Sequence, residues 1–323
     1  MKIKKVLLDT DIGDDIDDAL ALGYLGKSSD IFLLGVSTVF LKTRERAELG
    51  AAELQVLGKF NLPIVAGAGR PLKIENALYK KKLQEHKPRQ FEILSKINPL
   101  IKPYPMDVVE FLKNNIEAHS GEVTLLTIGP LTNIGLLFRK YPKIAEKLKE
   151  IVIMGGVITP SFPEWNILCD PEAAAIVFNA GAPIRMIGLD VTLKCLLPEA
   201  QIRRFEKSGR ELPVLLGKLI RLWQKQLAGV SGNSKAHSPI LHDPLAAMAL
   251  NTPDLLEYRP CKIAVETGGK YTRGVTLPIS NCWKRGKNGV EIVLNPKEKP
   301  NALVAVRVNA ELAVKTFTER ILS

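Results

Sequence analysis

Six carboxylates fall close together near the start of the chain: Asp9, Asp11, Asp14, Asp15, Asp17 and Asp18. The apolar run Val6-Leu7-Leu8 before them suits a buried strand, and a helical apolar pattern begins near Asp18. The carboxylates therefore crowd into a strand-to-helix turn. Ionised carboxylates at such spacing either raise one another's pKa or collect a cation, and a hard divalent ion with oxygen ligands is the usual partner. Helix capping accounts for one or two aspartates, but not for six beside a core strand. The turn reads as a metal or catalytic site. An EF-hand is excluded by spacing: counted from Asp9, glycine arrives at the fifth position instead of the sixth, and Leu20 occupies the twelfth, where a bidentate Glu belongs.

Other polar groups fall where strands are expected to end, at Thr127-Ile128-Gly129-Pro130 and Met154-Gly155-Gly156. In open α/β sheets, ligands bind beyond the carboxyl ends of the strands, so these groups share a crevice with the acidic turn. Glu164-Trp165-Asn166 and His242-Asp243-Pro244 are two further candidates. Taken singly, His242-Asp243 reads equally as a helix cap, and loop Glu and Asn residues are mostly solvated. Taken together, Asp ligands to a hard ion, a His proton donor, and a Glu and Asn that grip hydroxyls make a hydrolytic site for something ribose-like. A second reading is a phosphatase using the Asp9/Asp11 cluster, since Val6-Leu7-Leu8-Asp9-Thr10-Asp11 resembles the haloacid dehalogenase type. That family also needs a later Gly-Asp motif, which does not occur after position 14.

These residues must be carried by a regular scaffold. Strands are expected at Val6 to Asp9, Ile31 to Val39, Pro63 to Gly67, Val123 to Ile128, Ile151 to Met154 and Pro183 to Gly188, with helices between them. The alternation predicts an α/β fold: a mostly parallel central sheet of about six strands flanked by helices, in one domain over residues 1–323. Residues 72–105 are basic and proline-containing without a clear period, and read as a long surface excursion. Shorter strands are expected at Lys262 to Glu266, Arg273 to Pro278 and Leu303 to Val308, before a final helix from Ala310 to Leu322.

The formal charge of +11 invites a nucleic-acid reading, but the basic residues are spread along the chain without a recognisable module. No nucleic acid is expected as a partner. No apolar stretch is long enough to span a bilayer, and Met1-Lys2-Ile3-Lys4-Lys5 runs straight into a core strand, so a cytoplasmic protein with no membrane partner is expected. Cys169, Cys195, Cys261 and Cys282 show no CxxC pairing and read as reduced and mostly buried.

The motifs in their order resemble the inosine-uridine-preferring nucleoside hydrolase family. They are Asp9-Thr10-Asp11-Ile12-Gly13 with Asp17-Asp18-Ala19-Leu20-Ala21-Leu22, Gly129-Pro130-Leu131-Thr132-Asn133, Met154-Gly155-Gly156, Glu164-Trp165-Asn166 with Asp170-Pro171-Glu172-Ala173-Ala174, His242-Asp243-Pro244-Leu245-Ala246, and Thr272-Arg273-Gly274. The resemblance implies a bound Ca2+ ion, a nucleoside substrate and a homodimer or homotetramer. It makes Asp11, Asp18, Asp243 and the carbonyl of Ile128 the calcium ligands, with Asp11 also the base that activates water. It gives Asp17, Glu164 and Asn166 to the ribose hydroxyls, Met154 to the sugar pocket and His242 to the departing base. Trp165 or Trp223 is available to stack on that base, with burial in the core the better reading of Trp223. The acidic motif is two residues longer than the family's shorter form, which leaves open the roles of Asp14, Asp15, Asp17 and Asp18. Lys42 stands where the second strand usually ends in Gly-Asn, and could pair with the acidic cluster, contact a phosphate or weaken ribose binding. The usual His-Gly segment after the third strand is missing, with His86 the only histidine nearby.

Overall fold

A computed structural model describes residues 3–73, 79–81, 83, 88–97, 99–159, 162–231, 237–279, 281–286, 289–294 and 299–323. The chain begins β1 (Lys4–Thr10), α1 (Asp17–Lys27), β2 (Ile31–Thr38), α2 (Thr43–Val56) and β3 (Ile64–Ala66). After the excursion, whose described part contains a 3-10 turn (Arg89–Ile93) and α3 (Leu94–Ile97), come α4 (Val108–Ala118), β4 (Val123–Thr127), α5 (Thr132–Lys140) and β5 (Glu150–Met154). Next are α6 (Trp165–Cys169), α7 (Pro171–Phe178), β6 (Ile184–Ile187), α8 (Leu189–Thr192), α9 (Glu199–Glu206), α10 (Glu211–Ser231) and α11 (His242–Met248). The chain closes with β7 (Leu256–Cys261), β8 (Ile263–Val265), β9 (Thr276–Pro278), β10 (Asn281–Gly286), β11 (Gly289–Leu294), β12 (Ala302–Val308) and α12 (Ala310–Leu322). His86 lies outside the described residues.

The main sheet has eight strands in the order β3-β2-β1-β4-β5-β6-β12-β7, parallel throughout except for β7 against β12. The expected single α/β layer is present, two strands wider than the sequence pattern indicates. The strand at Leu303 to Val308 joins this sheet, and β7 was not anticipated. Its run Leu256-Glu257-Tyr258-Arg259-Pro260-Cys261 is polar and contains a proline, which is tolerated only at an edge. The strands expected at Lys262 to Glu266 and Arg273 to Pro278 form a separate antiparallel pair, β8 and β9.

Alternation along the strands gives the sheet two apolar faces. Val6, Leu8, Leu126 and Val152 enter one core with residues of α1, α2, α10, α11 and α12, while Leu7, Leu125, Ile151 and Ile153 enter the other with α4, α5 and α7. Strand order reverses between β1 and β4, so the crevice expected to bind ligands lies at their carboxyl ends. Register puts Asp9 opposite Ser37 of β2 and Thr127 of β4, which brings the acidic turn out at that reversal. Among the described residues, no helix is long and apolar enough to cross a membrane.

Candidate active site

The turn after β1 is fixed by bonds to its own backbone and by one distant cation. The Thr10 hydroxyl donates to Asp18 Oδ1, and the Asp11 N–H donates to the same oxygen at 3.1 Å. Arg46, fully buried on α2, donates through Nη1 to the carbonyls of Asp11 and Ile12, through Nε to Phe40 and through Nη2 to Asp14 Oδ2 at 2.7 Å. From the 3-10 turn, Gln90 Nε2 donates to the Asp15 carbonyl at 2.6 Å. Gly13 has a φ of +121°, and a Cβ there would meet Phe91 at 2.6 Å. Only glycine suits both the backbone and the contact.

This bracing sorts the six carboxylates. Asp9 faces away from the crevice, accepting from Ser37 Oγ and from Asn133 Nδ2 at 2.7 Å. It lines no part of the cleft, so Asp9 and Asp11 do not form the pair that the phosphatase reading needs. Asp14 is turned onto Arg46, and Asp15 Oδ1 accepts from the Ile16 N–H at 2.6 Å. Asp17 and Asp18, in the first turn of α1, meet Asp243 in the first turn of α11, with oxygens all within 4.8 Å of one another. Asp17 thus stands with the group most suited to hold a cation, whereas the family resemblance gives it to the ribose; Asp11 lines the same cleft outside that group.

Electrostatics follow from burial. The Asp11 carboxyl is pushed up to about 7 by burial, a rise opposed by Arg46 and reinforced by Asp14 and Glu164. Burial and then mutual repulsion hold Asp17, Asp18 and Asp243 well above the usual carboxylate range. Three buried acids that repel one another fit a divalent cation, whose charge would restore their ionised forms. Acid-only ligation suits a hard ion.

The opposite wall is built from β4, β5 and α6. Asn166 Nδ2 donates to the carbonyls of Ile128 at 2.8 Å and Met154 at 3.1 Å, tying two strand ends together. Glu164 caps α6, accepting from the N–H groups of Asn166 at 3.0 Å and Ile167 at 3.2 Å, and also from Gly156 at 2.8 Å. A Cβ on Gly129 would sit 2.8 Å from Asp11 N and Oδ1, so a glycine there lets β4 approach the turn. Trp165 packs edge-on to Phe40, with ring centroids 6.4 Å apart. Phe40 and Leu41 hold φ values of 69° and 58°, a left-handed pair without glycine, where the family's strand ends in Gly-Asn.

Asp11, Asp17, Asp18, Ile128, Met154, Glu164, Asn166, His242 and Asp243 all line one cleft of about 170 Å³, joined by Asp14, Asp15, Trp165 and Leu189. Every site residue expected from sequence is therefore brought together. Trp223 is buried in the core, the better of its two readings, and Lys42 is exposed and absent from the cleft wall. Arg46, one helical turn beyond Lys42, is the cation that meets the acidic turn. Its only signal in sequence is the need for a counter-charge among six acids. Two motifs serve the scaffold. Asn133 braces Asp9, Thr38 and Ala68, and Arg273 pairs with Glu172 at 2.6 Å away from the cleft.

His242 lies at the cleft edge with Nδ1 2.7 Å from Thr192 Oγ1, a partner that the sequence did not announce. Burial pushes the imidazole down to about 4, away from the near-neutral value its acid role suggests. It is neutral at pH 7.

Comparison with known proteins identifies the family. The model of the inosine-uridine preferring nucleoside hydrolase family matches residues 6–315. Uridine nucleosidase 1 of Arabidopsis thaliana is 31% identical over 83% of this chain and 80% of its own length. The pyrimidine-specific ribonucleoside hydrolase RihA of Enterobacter sp. (strain 638) is 30% identical over 98% of this chain and 97% of its own. Among solved structures, a purine-preferring ribonucleoside hydrolase from Gardnerella vaginalis superposes with a TM-score of 0.80 at 25% identity, covering 99% of this chain and 98% of that one. A plant nucleoside hydrolase gives the same TM-score at 24% identity, covering 99% of both chains, and supports the fold. The chain belongs to the inosine-uridine preferring nucleoside hydrolase family, and with it to the nucleoside hydrolase enzymes.

Proposed function

We propose that the enzyme hydrolyses the N-glycosidic bond of ribonucleosides, giving ribose and free base, in a calcium-dependent reaction. The observation that carries this reading is the convergence of Asp17, Asp18 and Asp243 with Asp11, Asn166 and His242 in one cleft at the strand-order reversal. Asp18, Asp243, the Ile128 carbonyl and Asp11 or Asp17 would hold the ion. When bound, calcium supplies a fixed positive charge that orients water and ribose hydroxyls.

The protein's own groups do the rest. Asp11 takes a proton from the attacking water, whose oxygen bonds to the anomeric carbon as the bond to the base breaks. The bonding pair leaves on the base, which takes a proton from solvent, and the Asp11 proton returns to solvent. Positive charge building on the ribose is stabilised by the surrounding carboxylates, as in other glycosidic cleavages. Asp17, Glu164 and Asn166 grip ribose hydroxyls, Met154 lines the sugar and Trp165 offers a face to the base. His242 relieves the negative charge on the departing base as a neutral N–H donor.

Relatives named for uridine, pyrimidine and purine substrates all match, so both base classes belong in the test. Inosine, uridine and cytidine are incubated with the protein, with and without chelator, and free ribose is assayed. Ribose release that chelation stops is expected, and no release from any nucleoside overturns the proposal. The same reading includes a cytoplasmic homodimer or homotetramer, which sedimentation would test for assembly.

A further inference from the structure

We propose that Thr192 is a positioning residue: its hydroxyl donates to His242 Nδ1 and so keeps the Nε2–H tautomer facing the departing base. This rests on the role given to His242 above. Thr192 is fully buried, and its Oγ1 lies 2.7 Å from Nδ1, which leaves Nε2 as the ring nitrogen available to the cleft. A neutral imidazole carries one N–H, and the hydrogen bond made by one nitrogen decides where that proton sits. If Nδ1 instead donated to the threonine, Nε2 would face the base as an acceptor and oppose its growing negative charge.

The pair is held in register from both sides. Thr192 ends α8, which is tied to the Gly155-Gly156 turn by the Leu189 N–H to the Gly156 carbonyl at 2.9 Å. Asp190 on the same helix accepts from the N–H groups of Ile158 at 3.0 Å and Thr159 at 2.8 Å. Beyond α8, residues 195–197 run antiparallel to residues 239–241. The Leu241 N–H donates to the Cys195 carbonyl at 2.8 Å and the Leu197 N–H to the Pro239 carbonyl at 2.8 Å. The residue after Leu241 is His242, so this short ladder sets the distance between hydroxyl and imidazole. The step moves no proton of its own: the glycosidic bonding pair passes to the base, which accepts a hydrogen bond from Nε2–H.

The test compares Thr192→Val, which keeps the shape and loses the hydroxyl, with Thr192→Ser, which keeps the hydroxyl. On a natural nucleoside, Thr192→Val should lower kcat at least about 10-fold with KM little changed, a part of the roughly 100-fold or greater effect of one preorganised hydrogen-bond donor to developing negative charge. On p-nitrophenyl riboside, whose leaving group needs no donor, the loss should stay within about threefold, and Thr192→Ser should recover the nucleoside rate. Equal losses on both substrates, no loss on nucleosides, or a serine variant as poor as the valine one would each overturn the proposal. Nitrogen-15 NMR of the wild-type protein reads the His242 tautomer without turnover. An Nε2–H pattern is expected and an Nδ1–H pattern overturns the assignment, whether or not the valine variant folds. A wild type that cleaves neither substrate yet shows the Nε2–H pattern would sink the hydrolase reading while supporting the tautomer.

Discussion

Two of the places where this molecule buries carboxylates solve the problem differently. At the cleft, Asp11, Asp17, Asp18 and Asp243 crowd together, and Arg46 sits beside them with its donors spread over the turn. In the core behind them, Glu53 on α2 is fully buried with no hydrogen-bond partner for either oxygen. Both settings raise proton affinity, the first through burial and repulsion, the second through burial alone. The cleft acids have somewhere to place their charge once a cation arrives. Glu53 has none, and burial favours its neutral form. A buried carboxylate thus marks function when its neighbours converge on a common point, and not merely because its pKa is displaced.

The difference can be broken in stages. The largest effect is expected from Asp11→Asn, which removes the proposed base and should lower kcat about 100-fold to 10,000-fold while circular dichroism and the melting transition stay near wild type. Retained turnover would unseat Asp11. Arg46→Met leaves the Asp14 charge and the turn carbonyls without their donor, and should cost about 3 kcal/mol in urea unfolding together with weaker calcium binding by calorimetry. A variant with full stability would show that the turn holds itself.

Calcium should come next. At a free concentration about 100 times its Kd, it should stabilise the protein by about 2.7 kcal/mol. The pH dependence has a definite sign. The cleft acids have raised folded values, so in metal-free protein their contribution is fullest below the unfolded value near 3.8 and is lost as pH rises through the folded values, about 7 for Asp11. Calcium stabilisation, read as a melting shift, should therefore grow from pH 5 to pH 8. A shift independent of pH would argue that the acids are ionised before the ion binds.

The smallest effect at a single pH belongs to Glu53→Gln. Wild-type stability from this group is lost as pH climbs from the unfolded value near 4.5 through the raised folded one, and calcium should not change that slope. The glutamine variant should flatten the slope, with a difference of about 1 kcal/mol near neutral pH. Equal slopes in the two proteins would place a hidden partner beside Glu53.

Much of this arrangement was written locally. An apolar run into β1, carboxylates in the turn and an apolar helix after Asp18 are features of one short segment, and the six motifs in order identified the family. The expected site residues do converge, because each lies at a strand end or a helix start, and parallel packing brings those points together. What could not be read depends on distant partners. Asp14 and Asp17 look alike in sequence, yet Asp14 pairs with Arg46 from α2 while Asp17 joins Asp18 and Asp243. Arg46 itself reads as an ordinary helix surface residue, as does Thr192 in a helix of one turn. The edge strand β7 hid behind Glu257, Arg259 and Pro260, whose outward positions break the apolar pattern that betrays central strands.

That edge has a consequence for how copies of the chain can meet. An open sheet edge is a template for another strand, yet β7 offers a proline without an N–H and exposed charges at Glu257 and Arg259. At the far side, β3 is three residues long, and its Ile64 carbonyl already accepts from the Tyr104 N–H at 2.7 Å. Neither rim offers a strand from another chain a ready ladder to continue.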